Sequence, residues 1–334
     1  MEADWTLHCD SSQYGARESL ACIATRIAQP VRNRRMASQE LQKVLGLMAE
    51  RPLGAGNPTL EEMRAGMEAS SFPVTDAATV TPVDANGVPG EWVTVAESDP
   101  NRRLLYVHGG GYVIGSAVTH RRLCEDIARA GGCSVLNLDY RLAPEHPFPA
   151  AVEDAIAGLK FIQSNGPDGE GAADATFVAG DSAGGGLTLA TLLTAREQSV
   201  DQPNAAIGIS AWTDLAITGE TIQTRAAADP LITDASMVEV MASQYLGEAA
   251  ADNPLASPLY ADYAGLPPLL LQVGDAEVLL ADTTRVAERA RAAGVDVVEE
   301  VWDEMFHVWH QFAPMLPEGQ AAIDRIGEFI CQHA

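Results

Sequence analysis

Positive charge is scarce in this chain. Its 334 residues include 21 lysines and arginines against 46 aspartates and glutamates, giving a formal net charge of −25 at pH 7. So acidic a surface repels polyanions, and we therefore expect neither nucleic acid nor an anionic membrane surface as a partner. The composition is otherwise that of a globular protein, because 47% of the residues are hydrophobic.

Long apolar segments are missing as well. No run reaches the roughly 18 apolar residues that a membrane-spanning helix needs. The chain begins Met1-Glu2-Ala3-Asp4-Trp5, which has neither the basic nor the apolar region of a secretory signal. The five cysteines are Cys9, Cys22, Cys124, Cys133 and Cys331. They are odd in number and form no C-x-x-C pair, which favours free thiols over a disulfide framework. These absences together predict a cytoplasmic protein.

Short apolar runs alternate with helical patterns over most of the chain. This alternation predicts an α/β fold, with a mostly parallel sheet that helices cover on both faces. The predicted strands are Arg103 to Val107, Ser134 to Leu138, Thr176 to Ala179, Ala206 to Ser210, Leu269 to Val273 and Val297 to Trp302. The predicted helices between and after them are Thr119 to Ala130, Ala150 to Gln163, Leu187 to Gln198, Ala281 to Ala293 and Glu318 to Cys331.

Two stretches depart from this alternation. The N-terminal part, residues 1–74, carries predicted helices at Arg17 to Ala28, Ala37 to Glu50 and Thr59 to Ala69, and a hairpin around Asn86-Gly87 follows it. Residues 214–265 interrupt the alternation with Pro- and Ala-rich helical pieces, an insertion of the kind that forms a lid in such folds. The remaining residues, 75–213 and 266–334, then make up the α/β core.

A G-x-S-x-G pentapeptide, Gly180-Asp181-Ser182-Ala183-Gly184, lies between a predicted strand and a predicted helix. A serine on such a sharp turn is held out of the top of the sheet, where its hydroxyl can meet a carbonyl carbon. The small neighbours allow the strained, closely packed backbone of the turn. The pentapeptide alone is a weak signal, and its position between strand and helix makes it a candidate nucleophile elbow.

A serine nucleophile needs a base and an orienting acid, which in this fold follow it along the chain. The histidines after Ser182 are His307, His310 and His333. His307 follows the last predicted strand in a loop that can reach the serine, so it is the predicted base. Asp275, Glu277 and Asp282 share the loop and first helical turn after the Leu269 strand. Each also suits a helix N-terminus, and position alone leaves the choice among them open.

Three consecutive glycines, Gly109-Gly110-Gly111, follow His108 at the end of the Arg103 strand. Glycines let backbone N–H groups turn toward a developing oxyanion without a side-chain clash. Ala183, directly after the serine, supplies the remaining N–H. A phosphate-binding loop is the rival interpretation, but the Lys-Ser/Thr that such a loop requires does not follow the glycines.

These motifs resemble those of the bacterial hormone-sensitive-lipase-like esterases of the α/β-hydrolase superfamily. The matching stretches are residues 108–112 (HGGGY), 139–150 (DYRLAPEHPFPA) and 180–185 (GDSAGG). The resemblance implies the α/β-hydrolase fold, with residues 1–74 and 214–265 contributing to a helical cap. It implies Ser182 as nucleophile and His307 as base, with Glu277 in the place of the family's usual aspartate. It also implies Gly109, Gly110 and Ala183 as oxyanion donors.

The expected activity is that of a serine carboxylesterase acting on short- to medium-chain acyl esters, which requires no metal and no organic cofactor. We expect Tyr112, Trp212, Leu215 and Phe306 to line the acyl pocket, together with Trp309, although each of these residues would equally serve as core. We also expect Arg141 and Glu145 to pair beneath the site. The alternatives are a lactone or amide hydrolase with the same triad and, more remotely, a non-catalytic binding protein. The resemblance also allows a homodimer formed through an edge strand or the last helices.

Overall fold

The computed structural model describes residues 31–33 (backbone only), 38–50, 56 and 58–334. The helix predicted at Arg17 to Ala28 and the thiols of Cys9 and Cys22 lie outside these residues. The described strands are β1 Val31–Asn33, β2 Thr79–Ala85, β3 Val88–Thr94, β4 Asp99–Val107, β5 Cys133–Leu138, β6 Asn165–Gly166, β7 Gly169–Glu170, β8 Ala175–Asp181, β9 Ala205–Ile209, β10 Leu269–Gly274 and β11 Val297–Trp302. The described α-helices are α1 Gln39–Glu50, α2 Leu60–Ser70, α3 Ala117–Gly131, α4 Ala150–Ser164, α5 Ala183–Glu197, α6 Thr221–Thr224, α7 Ala235–Leu246, α8 Leu280–Ala292 and α9 Pro317–His333.

Among the described residues, nine strands form one sheet in the order β1-β11-β10-β9-β8-β4-β5-β3-β2. The first seven strands in this order, from β1 through β11 to β5, pair parallel with their neighbours. Strand β3 pairs antiparallel with both β5 and β2. The predicted α/β fold with a mostly parallel sheet is therefore confirmed. The carboxyl ends of its parallel strands lie at one edge, which is where such sheets collect functional loops.

Both faces of the sheet are buried, which explains why its strands read as continuous apolar runs rather than as an alternation. Leu105 and Val107 of β4 pack on one side with residues of α4 and α5. Leu104 and Tyr106 of the same strand pack on the other side with residues of α3 and α9. Successive side chains of a strand point to opposite faces, so one strand contributes to two hydrophobic cores.

The hairpin turn and the helix cap that the sequence predicts are both present. Asn86 and Gly87 both have positive φ, 58° and 92°, as a tight hairpin between β2 and β3 requires. Thr59 and Glu62 form a reciprocal capping box at the start of α2. Helix α5 begins earlier than predicted, at Ala183, because the elbow leads directly into it. Strand β1, which extends the sheet beside β11, was not predicted.

Parts of both predicted cap regions lie against the sheet's carboxyl edge. Leu41, Val44 and Met48 of α1 pack with Phe306 and Trp309, which flank the predicted base. In α7, Tyr245 stacks on Tyr112 with ring centroids 3.7 Å apart. The boundaries of the cap remain a prediction. Within the part of the chain that the structure describes, no helix is both long and apolar enough to cross a membrane.

Candidate active site

Ser182 lies where β8 ends and α5 begins, with φ 54° and ψ −120°. This backbone conformation is rare for a residue with a side chain and carries strain, which is typical of a nucleophile elbow. A Cβ atom at Gly180 would collide with the carbonyl oxygens of Gly184 and Val107, and one at Gly184 would collide with that of Val107. The glycines of the pentapeptide are therefore required by close backbone packing.

A chain of hydrogen bonds connects Ser182 to His307 and His307 to Glu277. The Ser182 Oγ lies 2.9 Å from Nε2 of His307, and Nδ1 of His307 lies 2.6 Å from Oε2 of Glu277. A carboxylate only accepts hydrogen bonds, so Nδ1 carries the proton and Nε2 is left to accept one from the serine hydroxyl. Glu277 is fully buried, whereas Ser182 keeps 9% of its surface exposed.

The other candidate acids and histidines lie elsewhere. Asp275 accepts the N–H of Glu304 at the surface, and Asp282 accepts the N–H groups of Thr213 and Asp214. The His310 ring is buried and bonded to Gln272, and that of His333 is bonded to a carbonyl of its own helix. Of the three carboxylates that the sequence left open, the structure brings Glu277 to the histidine.

Glu277 is held by groups that no sequence motif predicted. Its Oε1 accepts the hydroxyl of Ser210 at 2.9 Å and the N–H of Gly274 at 2.6 Å. Ser210 Oγ in turn accepts the N–H of Val308, next to His307. Ser210 therefore ties the acid to the loop that carries the histidine. Its position directly after β9, at the same edge of the sheet, was the available sequence signal.

Electrostatics make the His307 imidazole a stronger base than a histidine in water. Burial lowers its pKa, but the hydrogen bond that its Nδ1–H donates to Glu277 and the negative charges of Glu277, Asp229 and Asp181 outweigh burial, so the pKa rises above its usual 6.5. Neutral His307 can take a proton from Ser182, and the resulting imidazolium is stabilised beside Glu277.

The glycine loop after β4 differs from the prediction at Gly109. The N–H of Gly109 donates to Oδ1 of buried Asp181 at 3.1 Å, so it is already engaged and the assignment of Gly109 as an oxyanion donor is corrected. Gly110 and Gly111 have φ of 113° and 63°. The hydrogen bonds of the described residues give neither N–H a partner. Ala183 opens α5, where N–H groups lack a partner within the helix. Gly110, Gly111 and Ala183 thus have N–H groups available.

The expected pair between Arg141 and Glu145 did not form. The guanidinium of Arg141 binds Asp154 of α4, and Glu145 receives two hydrogen bonds from Arg64 of α2. Arg64 also donates to the carbonyl of Val113, just beyond the glycine loop. The Glu145 carboxylate therefore fastens α2 to the body of the protein rather than supporting the site from below.

The predicted pocket residues divide into two groups. Tyr112, Trp212 and Leu215 belong to one buried cluster, and the backbone N–H of Trp212 donates to the carbonyl of Ser182 at 2.8 Å. Phe306 and Trp309 pack instead in a second cluster with α1, on the side of His307. All five are almost completely buried, so their contact with a substrate stays a prediction.

The arrangement of Ser182, His307 and Glu277 is the one that a nucleophile, a base and an orienting acid take at the carboxyl edge of an α/β sheet. The family described as the alpha/beta hydrolase fold matches residues 104–311. An acetyl-hydrolase of Streptomyces hygroscopicus is 46% identical over 241 residues, which cover 72% of this chain and 78% of that protein.

Solved structures give the same result. An esterase from the bacterial hormone-sensitive lipase (HSL) family superposes with a TM-score of 0.82 at 45% identity, covering 90% of this chain and 99% of the other. EstE5, whose crystal was soaked with p-nitrophenyl butyrate, has a TM-score of 0.82 at 43% identity, with coverages of 89% and 99%. This chain therefore belongs to the bacterial hormone-sensitive lipase family of α/β-hydrolases, and it is a carboxylic ester hydrolase.

Proposed function

We propose that this protein cleaves short- to medium-chain acyl esters through an acyl-serine intermediate formed on Ser182. The observation that carries the proposal is the continuous hydrogen-bonded chain from Ser182 through His307 to Glu277, with distances of 2.9 and 2.6 Å. These are the contacts that a general base and its orienting acid need in order to activate a hydroxyl.

In the proposed reaction, Ser182 Oγ attacks the ester carbonyl carbon while Nε2 of His307 takes its proton. The carbonyl oxygen becomes an oxyanion, which the N–H groups of Gly110, Gly111 and Ala183 stabilise. The tetrahedral intermediate collapses to the acyl-serine, and the imidazolium of His307 gives its proton to the departing alkoxide. Water then attacks the acyl group with His307 again as base, releasing the carboxylic acid and restoring the Ser182 hydroxyl.

The size of the acyl group is proposed from the enclosure of the site and from the relatives. Ser182 and His307 are 9% and 5% exposed, and a side chain on Gly111 would collide with the sulfur of Met241 from α7. So little room suits a small acyl group. The acetyl-hydrolase and the structure soaked with p-nitrophenyl butyrate support the same size range. A cytoplasmic location and a homodimer stay predictions from the sequence.

The test is hydrolysis of a p-nitrophenyl ester series from acetate to palmitate by the wild-type protein and by Ser182→Ala. We expect the rate to peak at short or medium chains and to fall by at least about 10⁴-fold in the variant, because the nucleophile is gone. A folded variant that retained most of the activity would contradict the assignment of Ser182. A folded wild-type protein inactive on every ester would contradict esterase chemistry and favour lactones or amides.

A further inference from the structure

One buried carboxylate of the 214–265 insertion lies beside the candidate triad and takes no part in the proposed chemistry. Asp229, which follows α6, is 1% exposed. Its Oδ1 accepts the N–H groups of Leu231 and Ile232, and its Oδ2 accepts that of Val278 at 3.1 Å. No lysine or arginine forms an ion pair with it among the described residues. The Asp229 side chain is thus held by three backbone N–H groups alone.

Val278 directly follows Glu277, and the insertion binds both of its backbone polar groups. Asp229 accepts its N–H, and the hydroxyl of Thr221 donates to its carbonyl at 2.6 Å. Thr221 Oγ1 also accepts the N–H of Ala281, at the start of α8. The backbone that carries Glu277 is thus fixed on one side by side chains of the insertion, while Ser210 and Gly274 fix its carboxylate on the other.

The turn that begins at Asp229 also packs toward the base. Leu231 packs against the cluster that contains Phe306 and Trp309, on either side of His307. A displacement of this turn would therefore disturb two members of the candidate triad, Glu277 through Val278 and His307 through its flanking aromatic residues.

We propose that Asp229 is a positioning residue through which the 214–265 insertion holds Glu277 and His307 in register with Ser182. Its side chain touches neither the serine nor a reacting atom, and it acts through the Val278 N–H and through its charge. The assembly of the triad then depends on the insertion being closed against the loop after β10. This inference rests on the proposed function, since it assigns Asp229 a role in that reaction.

The charge of Asp229 gives the proposal a readout that a merely structural residue would lack. The ionisable groups that face His307 are Glu277, Asp229 and Asp181, which stabilise its protonated form, and His310, whose positive form would oppose it. Removing one of the three negative charges lowers the pKa of His307. The acid limb of kcat/KM, which follows deprotonation of the base, then moves to lower pH.

The experiment compares Asp229→Asn with Thr221→Val. Asparagine has the same shape but no charge, and its amide cannot accept all three N–H groups. Thr221→Val keeps the shape and the charge of the loop and removes both hydroxyl hydrogen bonds. We expect kcat to fall about tenfold in both, because a loosened acid orients the imidazole poorly, with KM nearly unchanged. Only Asp229→Asn shifts the acid limb, by about 0.5 to 1 pH unit downward.

Asp234→Asn is the matched control. It removes the same charge from the same insertion at the exposed N-cap of α7, and its kcat and pH profile are expected to equal those of the wild-type protein. An unshifted acid limb in Asp229→Asn overturns the proposal, whatever the kcat of the variant. Asp229→Ser, which keeps an acceptor for the nearby N–H groups, replaces Asp229→Asn if that variant does not fold.

A second readout separates failure of this inference from failure of the proposed function. The rate at which a small phosphonate ester labels Ser182 depends on His307 as base but needs no ester turnover. The same downward shift is expected in the pH dependence of labelling in Asp229→Asn. If the pH dependence of labelling shifts but the protein is inactive on esters, the positioning role of Asp229 is supported and the proposed function is contradicted. If esters are hydrolysed but the pH dependence of labelling does not shift, only the role of Asp229 is contradicted.

Discussion

Two buried carboxylates follow β10, Glu277 in the loop and Asp282 in the first turn of α8, and they bind different partners. Glu277 is 0% exposed and bonds to the imidazole of His307. Asp282 is 1% exposed and bonds to the backbone N–H groups of Thr213 and Asp214, where the insertion begins. Burial raises the pKa of both. The difference between a candidate catalytic acid and a structural one therefore lies in the partner that each oxygen meets, because burial is the same for both.

The largest expected effect comes from breaking the contact that distinguishes Glu277. In Glu277→Gln the side chain keeps its shape, but its amide can present an N–H₂ to Nδ1 of His307. That favours the wrong tautomer, with the proton on the nitrogen facing Ser182. We expect kcat for a short p-nitrophenyl ester to fall by about 10³- to 10⁴-fold.

Circular dichroism and thermal unfolding of Glu277→Gln control for misfolding, since a buried polar group is being exchanged. A folded variant within about tenfold of the wild-type rate, an effect far smaller than loss of an orienting acid gives, would show that Glu277 does not orient the base. Another acceptor would then have to hold the Nδ1 proton of His307.

The contrast between Glu277 and Asp282 also shows how much of the site could be predicted from the sequence. Ser182 and His307 were identifiable because each follows a recognisable strand, and parallel strands bring their carboxyl ends to one edge. The family resemblance implied Glu277 where position alone could not. Which way a side chain leaves a loop depends on turn geometry and on neighbours distant in the sequence, and neither is visible in a local pattern.

The functional residues that the sequence did not predict also depend on neighbours distant in the sequence. Nothing local distinguishes Ser210, Asp229 and Thr221 from the other polar residues of their segments. Only the tertiary structure brings them to the loop that carries Glu277. Gly109 was misassigned for a related reason. The position of its N–H was predicted from the glycine run, but its partner, Asp181, comes from a neighbouring strand of the sheet. The fold was the easier part, because strand and helix patterns are local and occur throughout the chain.

Asp282 is expected to matter for stability more than for catalysis. Burial raises its pKa from the usual 3.8 to about 7, although the Thr213 and Asp214 N–H groups and Arg285 oppose the shift. The folded state therefore holds a proton that the unfolded chain releases near pH 4. The resulting stabilisation is complete below pH 4 and is lost as the pH rises toward 7. Both N–H groups bond to Oδ2, which leaves Oδ1 to carry the proton.

In Asp282→Asn the amide oxygen can accept both N–H groups without titrating. The free energy of unfolding of the wild-type protein should fall by about 2 to 4 kcal/mol relative to this variant between pH 4 and pH 8. Urea unfolding of both proteins across this range measures the difference. Ester hydrolysis should stay within about threefold of wild type, since Asp282 touches no member of the triad and a neutral surrogate keeps its bonds. Parallel stability curves would contradict the raised pKa.

Asp275 completes the series with the smallest effect. It is the first residue after β10, and its Oδ1 accepts the N–H of Glu304 at 2.8 Å in an exposed turn. Glu304 has a φ of 63°, so this hydrogen bond holds a strained residue of the loop that leads to His307. Because water can replace the carboxylate, Asp275→Ala should lower the free energy of unfolding by only about 0.5 to 1.5 kcal/mol.

Its kcat should remain within about twofold of wild type, because the neighbouring bond from the Ala276 N–H to the Met305 carbonyl still joins the two loops. Steady-state kinetics on p-nitrophenyl acetate beside urea unfolding measures both quantities. A tenfold loss of kcat at nearly unchanged stability would show that the Asp275 carboxylate, too, orients the base. Glu277 would then not be the only one of these three carboxylates that acts on His307. The three would differ in how strongly each affects the orientation of that imidazole.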